Sequence, residues 1–467
     1  MVNYRTERDF LGRVKVPSDA YYGSETERAK ELFQISGVRV RSEFIKAYAI
    51  VKRSAAIANM KVGKLDRRRG TVIVRACDEI IGGKLNEQFV LDVFQAGAGT
   101  NTNMNVNEVV ANRAIEILGG KKGDYRVVHP NDHVNMSQST NDTYPTTMHI
   151  ATYIAITRAL APALESLVRA LRSKAKEFAR IPKIGRTHLQ DAVPMFLGDE
   201  FSGYEATVAK QAEHVKRSAS ALLSLSIGGT AVGTGIEASK AYSKAVITEI
   251  NRYTGANFRL ARNFFELQQN RNEEEWVGSA LKDLAIALNK IASDLRLLAS
   301  GPVAGFSDVM LPAVMPGSSI MPGKVNPSVP EMLNMVCFEV IGKTTSIEHA
   351  TESGQLELNV YMPLISQDLL YSIGILSNAV SVFTAKCIKG IRANKEKLSE
   401  NLERDISIAT ALAPYIGYAK ASEIARQARK EGKTVKEVAL ERKLMPEKEL
   451  SRILDPRNMI REKRSHL

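Results

Sequence analysis

Residues 281–298 read LKDLAIALNKIASDLRLL. Leu281, Leu284, Leu288, Ile291, Leu295 and Leu298 recur in alternating steps of three and four. That period puts all six side chains on one stripe of an α-helix, whereas a strand needs a period of two. A heptad-like seam of this length suits long helices packed side by side at a shallow angle. Outward from it, Ile156, Leu160, Leu164, Leu167 and Leu171 repeat the pattern, and Pro162 predicts a kink or a late helix start. Alternating strands joined by Asn-Gly turns are nearly absent. The predicted fold class is all-α, with a long-helix bundle at its centre.

Three stretches break the helical texture. Residues 94–107 (FQAGAGTNTNMNVN) are rich in Gly and Asn, and residues 129–145 (HPNDHVNMSQSTNDTYP) are polar throughout. Residues 315–330 (MPGSSIMPGKVNPSVP) carry Pro316, Pro322, Pro327 and Pro330 with Gly317 and Gly323, a density that excludes helix. Long polar loops in compact domains are usually functional. The boundaries that follow are an N-terminal helical domain over 1–135, a central long-helix domain over 136–392 and a small C-terminal helical domain over 393–467. Gly417 and Gly432 read as helix stops in the last of these.

Composition narrows the class. The 467 residues are ample for a large core. Cys77, Cys337 and Cys387 are odd in number and without ligand spacing, so they read as reduced, buried hydrophobes rather than disulfides or a zinc site. The first 13 residues are polar and mixed in charge, unlike a signal peptide, and no run is expected to span a bilayer. A cytoplasmic protein is the expectation. The net charge of +13, from 64 Lys+Arg against 51 Asp+Glu, is dispersed and not interleaved with aromatics. Nucleic-acid binding is therefore not expected, and the basic tail with Arg461, Lys463 and Arg464 reads as solvated.

The loops hold the reactive groups. Ser318 and Ser319 stand beside Lys324 and Asn326; Ser139, Thr140 and Asn141 lie in the second loop; Thr100, Asn101 and Asn103 lie in the first. Residues 185–188 (GRTH) add the Thr187 hydroxyl and the His188 imidazole. Lysine, hydroxyls and amide donors together suit charge-assisted bonding of a carboxylate. No His/Cys/Asp cluster at metal spacing accompanies them, so neither metal nor cofactor is expected. Each group also has a plain reading: the serines as helix caps, His188 as an ordinary bonded histidine, the Asn and Thr residues as turn formers. The 97–99 Gly-Ala-Gly run lacks the spacing of a phosphate loop. By pattern alone the chain is a helical protein with an anion-friendly loop cluster.

These same residues carry a resemblance. GSSIMPGKVN (317–326) closely resembles the signature loop of the fumarase/aspartase superfamily, which includes argininosuccinate and adenylosuccinate lyases. GRTHLQDAVP (185–194), HPNDHVNMSQSTND (129–142), GTNTNMNVNEV (99–109), GGTAVGTG (228–235) and SEIARQARKEG (422–432) are similar to other family motifs, so the likeness covers essentially the whole chain. It implies three α-helical domains and a homotetramer whose long helices form a twenty-helix core. Each active site would then be assembled from three chains, with the 281–298 seam buried against partner helices.

The resemblance also implies roles. Ser318 would be the general base, removing a proton from the carbon next to a carboxylate. Its intrinsic pKa is too high for this unless backbone donors and Lys324 stabilise the alkoxide. Lys324, Asn326 and Thr187 would hold one carboxylate and Thr100, Ser139 and Thr140 the other, with Ser319 also among the substrate-binding residues. His188 and Asn141 would lie by the leaving group, with Glu331 orienting His188. Arg126, His129, Asn131 and Asp132 resemble a secondary dicarboxylate site of fumarases. The substrate would be a four-carbon dicarboxylate giving fumarate. Hydration chemistry on malate is the expectation, because it is the commoner occupation of this branch, and loss of ammonia from aspartate is the alternative. HPND, GGTAVGTG and the 416–432 tail resemble fumarases. Tyr21-Tyr22-Gly23, AGAGT from Ala96, Thr140 and GQLELN from Gly354 resemble aspartases. A non-catalytic relative, like the lens crystallins, is disfavoured because Ser318, Lys324, Asn326 and His188 are all present.

Overall fold

The computed structural model describes residues 3–460; Arg461, Lys463 and Arg464 of the basic tail lie outside them. The chain opens with the antiparallel hairpin β1 (Tyr4–Asp9) and β2 (Gly12–Pro17). Six helices follow: α1 (Ser24–Leu32), α2 (Ser42–Lys61), α3 (Arg67–Ile81), α4 (Thr100–Ile117), α5 (Thr140–Ala155) and α6 (Ala161–Glu177). A second hairpin, β3 (Pro182–Thr187) and β4 (Gln190–Phe196), precedes α7 (Leu197–Ala219). Next come β5 (Ser224–Leu225), α8 (Lys240–Thr254), β6 (Arg259–Leu260), α9 (Phe264–Gln269) and α10 (Asn272–Leu298). Then β7 (Val309–Met310), α11 (Ser328–Glu352), α12 (Met362–Lys386) and β8 (Arg392–Ala393) lead into the short helices α13 (Lys395–Arg404), α14 (Ala413–Ile416), α15 (Tyr418–Glu431), α16 (Val435–Glu441), α17 (Glu447–Ile453) and α18 (Pro456–Met459). The fold is all-α, its strands confined to small two-stranded pairs.

Two compact units are formed. One holds residues 3–162, 211–286 and 336–377; the other holds 163–210, 287–335 and 378–460. In the second unit the short C-terminal helices share a core of their own, with Leu412, Ile424, Ala428, Val438 and Leu450 buried. Gly417 and Gly432 end α14 and α15 with positive φ, as their sequence positions predict.

The 27 residues of α10 extend about 40 Å. All six seam residues from Leu281 to Leu298 are buried within the chain itself. This corrects the expectation that the seam faces partner helices: α10 keeps it inside, and Trp276, Ile286 and Leu297 are the apolar side chains it leaves exposed. Pro162 does not break its helix. A π-helical turn, Ile156–Leu160, joins α5 to α6 and places the proline in the first turn of α6, where a missing N–H costs little.

All three expected loops are shorter than the sequence suggests, because α4 starts at Thr100, α5 at Thr140 and α11 at Ser328, which takes Pro330 into its first turn. Helix-poor asparagines are tolerated in α4 because remote groups satisfy them: Asn105 Nδ2 donates to Gln88 O at 3.0 Å and Asn107 Nδ2 to Asn135 Oδ1 at 3.2 Å. Tertiary bonding outweighs propensity there. Among the described residues, one helical stretch, 362–390, is long and apolar enough to cross a bilayer by length and composition alone. Most of that stretch is buried inside the protein, the pattern of a core helix.

Candidate active site

In the first unit the candidate residues gather at the first turn of α5. Ser139 caps it in a capping box: its hydroxyl accepts the Asn141 N–H at 3.3 Å, and Asp142 Oδ1 accepts the Ser139 N–H at 3.0 Å. Thr140 is buried in the first helical position, and its N–H has no acceptor among the described residues. Asn141 Nδ2 reaches out to Ala231 O at 2.8 Å. Thr100 begins α4 after Gly99, whose positive φ and close approach to the Tyr144 ring of α5 leave no room for a side chain. Two helix N-termini, with their hydroxyls and unpaired N–H groups, therefore lie together, an arrangement that favours an anion.

Beneath this surface lies a buried polar layer that the sequence reading missed. Asp142 is fully buried and its Oδ2 accepts the N–H groups of Gly228 and Thr230 at 2.9 and 3.0 Å. Burial pushes its carboxyl up to about 6, against the pull of those donors. Lys52, also fully buried, donates to Asn103 Oδ1 at 2.7 Å and Asn135 Oδ1 at 2.8 Å, and burial lowers it to about 7. The capping-box spacing of Ser139-Thr-Asn-Asp142 was the available signal for Asp142; nothing local marks Lys52.

In the second unit the signature loop folds back on itself. Gly317 N donates to Lys324 O at 2.9 Å and Asn326 Nδ2 to Gly317 O at 2.6 Å. A Cβ at Gly317 would collide with the Lys324 carbonyl oxygen. Ser318 Oγ, half-buried, accepts the N–H groups of Ile320 at 3.2 Å and Met321 at 3.0 Å. Such bonding is an ordinary serine turn, and the same two donors would stabilise negative charge on that oxygen. Ser319 and Lys324 are exposed, and the Lys324 ammonium has no carboxylate within reach among the described residues. The loop lines an open cavity of about 470 Å³.

Thr187 and His188 sit at the end of the β3–β4 hairpin, which sequence patterning did not predict. Its two-residue turn is His188-Leu189, both at positive φ (55° and 58°). Such turns favour Asn-Gly, so a His-Leu turn is strained and presents an exposed imidazole on a short tether. Arg186 anchors the hairpin through a bidentate pair to buried Asp308 at 2.6 and 3.1 Å, joined by Lys183 at 3.1 Å. Glu331 lies 4.0 Å from Arg296, and no hydrogen bond to His188 is present within the described chain.

The secondary group stands apart from the α5 cluster. Arg126 is paired to Asp124 at 2.8 Å, and His129 Nδ1 accepts the N–H groups of Asn131 and Asp132 at 3.2 Å each. Arg126, His129 and Asp132, with Lys121 and Lys122, border an open depression of about 770 Å³. Asn131 is exposed nearby but does not line it. One further cluster, His149 with Glu273 and Glu274, has ligand atoms within 4.8 Å of one another. Glu274 Oε1 there faces His149 Nε2 at 3.2 Å and Arg271 Nη1 at 3.3 Å, an internal ion pair that Glu273 does not join.

Known proteins match nearly the whole length of the chain. Residues 12–342 match a lyase family, and residues 408–461 match the fumarase C C-terminal family. An aspartate ammonia-lyase from Bacillus sp is 47% identical over 97% of both chains. The class II fumarate hydratase of Bacillus cereus is 46% identical over 99% of this chain and all of its own. A fumarate lyase:delta crystallin from Brucella melitensis, crystallised with cobalt, superposes with a TM-score of 0.95 at 46% identity, covering 98% of this chain and 99% of that one. With both sequence and fold matched end to end, this chain belongs to the fumarase/aspartase superfamily of lyases.

Proposed function

We propose that the chain eliminates water from (S)-malate to give fumarate, reversibly and without a cofactor. The reading is carried by Ser318, whose oxygen already accepts two backbone N–H bonds in a loop shared with Lys324. Ser318 Oγ as alkoxide takes the C3 proton. The C3 electron pair is held transiently on the adjacent carboxylate, neutralised by Lys324, Asn326 and Thr187, with Ser319 beside them. The pair then forms the C2–C3 double bond as the C2–O bond breaks; the hydroxide leaves beside His188 and Asn141 and takes up a proton from solvent to become water, while Ser318 gives the proton it took back to solvent. The other carboxylate rests on Thr100, Ser139 and Thr140. Following the resemblance, we assign the complete site to a homotetramer in which different copies of the chain supply this cradle and the signature loop.

A second reading, loss of ammonia from L-aspartate, uses the same steps with a C2–N bond. Tyr21-Tyr22-Gly23, AGAGT from Ala96, Thr140 and GQLELN from Gly354 favour it. Initial rates of fumarate formation from malate and aspartate, side by side, decide. Turnover of malate supports the hydratase, turnover of aspartate alone replaces it with the ammonia-lyase, and inertness to both overturns the function.

A further inference from the structure

We infer that Asp142 is a positioning residue for substrate binding, locking the α5 cap and the 228–231 turn into one rigid cradle. Four observations carry this. Asp142 is fully buried, so its geometry is set by the protein alone. One carboxylate oxygen holds the Ser139 N–H while the other holds the N–H groups of Gly228 and Thr230, bridging segments 86 and 88 residues away. The bridged turn is costly without an anchor: Gly228 has φ +96°, where a side chain would strike Ser243, and Thr230 has φ 55°. Its neighbour Asn141 ties the same turn from above through Ala231 O. The resemblance gives Ser139 and Thr140 their contacts with the far carboxylate; Asp142 does not touch the substrate and acts through these two.

This inference rests on the function proposed above, and it makes a kinetic distinction. The carboxylate on the α5 cap does not change charge during elimination, so its contacts serve ground state and transition state alike. Loosening them raises KM and leaves kcat in place. A merely structural role would instead lower the active fraction, and hence apparent kcat, at unchanged KM. Asp142→Asn keeps the shape but loses an acceptor. In the full-length enzyme it is expected to raise KM roughly 20-fold or more with kcat within about threefold. A fall in kcat at constant KM overturns the inference, while wild-type protein inert to malate and aspartate overturns the function itself. Should Asp142→Asn not fold, hydrogen exchange of the wild-type protein with saturating fumarate gives the same decision. Protection must rise together over residues 139–143 and 226–235; a rise at 139–143 alone overturns the inference.

Discussion

At the scale of single residues, the proposed chemistry turns on how a serine hydroxyl would be made a base. Ser318 has two N–H donors, and Lys324 belongs to the same closed loop. A preorganised pair of donors is worth several kcal/mol to a developing anion, because no reorganisation is needed when charge appears. Gly317 is what permits the closure, since any side chain there meets the Lys324 carbonyl. Gly317→Ala is therefore expected to cut kcat about 100-fold by displacing Ser318, the size of effect a 1 Å misplacement produces. Thermal stability, read by calorimetry, should change little because the loop is exposed. Equal activity in the variant would mean the closed loop is not the reactive form. The serines and Lys324 were legible as an anion-binding group from sequence. The donors of Ser318 were not, because they are backbone groups whose direction no residue type announces.

At the scale of elements, α5 and α10 are clasped by charge as well as by packing. His149 on α5 meets Glu274 on α10, with Arg271 behind it, and all three are fully buried. Burial would raise the Glu274 carboxyl, but Arg271 and His149 hold it down to about 2; burial opposes charge on His149, but Glu274 raises it. Glu274 thus titrates in the folded protein well below its unfolded value of 4.5. Its stabilisation is complete above pH 4.5 and lost as pH falls from there towards 2. His149 contributes in the opposite sense, with stability present below 6.5 and lost as pH rises through its elevated folded value. Urea midpoints measured from pH 5 to pH 2.5 should fall for the wild type and fall less for Glu274→Gln, which is less stable than wild type at neutral pH. Identical slopes would remove Glu274 from the clasp. Heptad spacing located α10 but could not locate this clasp, whose partners are more than a hundred residues apart. The β3–β4 hairpin escaped for a related reason: His-Leu lacks the glycine by which such turns are recognised.

At the scale of the whole molecule, what stays exposed is as informative as what is buried. Along α10 and α11, Trp276 (51%), Ile286 (51%), Met335 (63%) and Phe338 (59%) remain accessible in the single chain. Large apolar side chains left outside on long helices mark an association surface. The tetramer we propose would cover them. Phe338→Glu is expected to dissociate the assembly and abolish turnover, measured by light scattering and rate on one sample; a fully active monomer would contradict shared sites. The all-α class and the signature loop were readable because periodicity and a proline-glycine run are local signals. The direction of the seam was not, since only packing decides which stripe faces inward. The proposed reaction stands or falls on removal of the carbon-bound proton by Ser318. Growth of the fumarate absorption band, wild type against Ser318→Ala, decides it. A loss of about 1,000-fold or more in kcat with an unchanged unfolding midpoint is the expected result, whereas a Ser318→Ala enzyme within tenfold of wild type would contradict the mechanism.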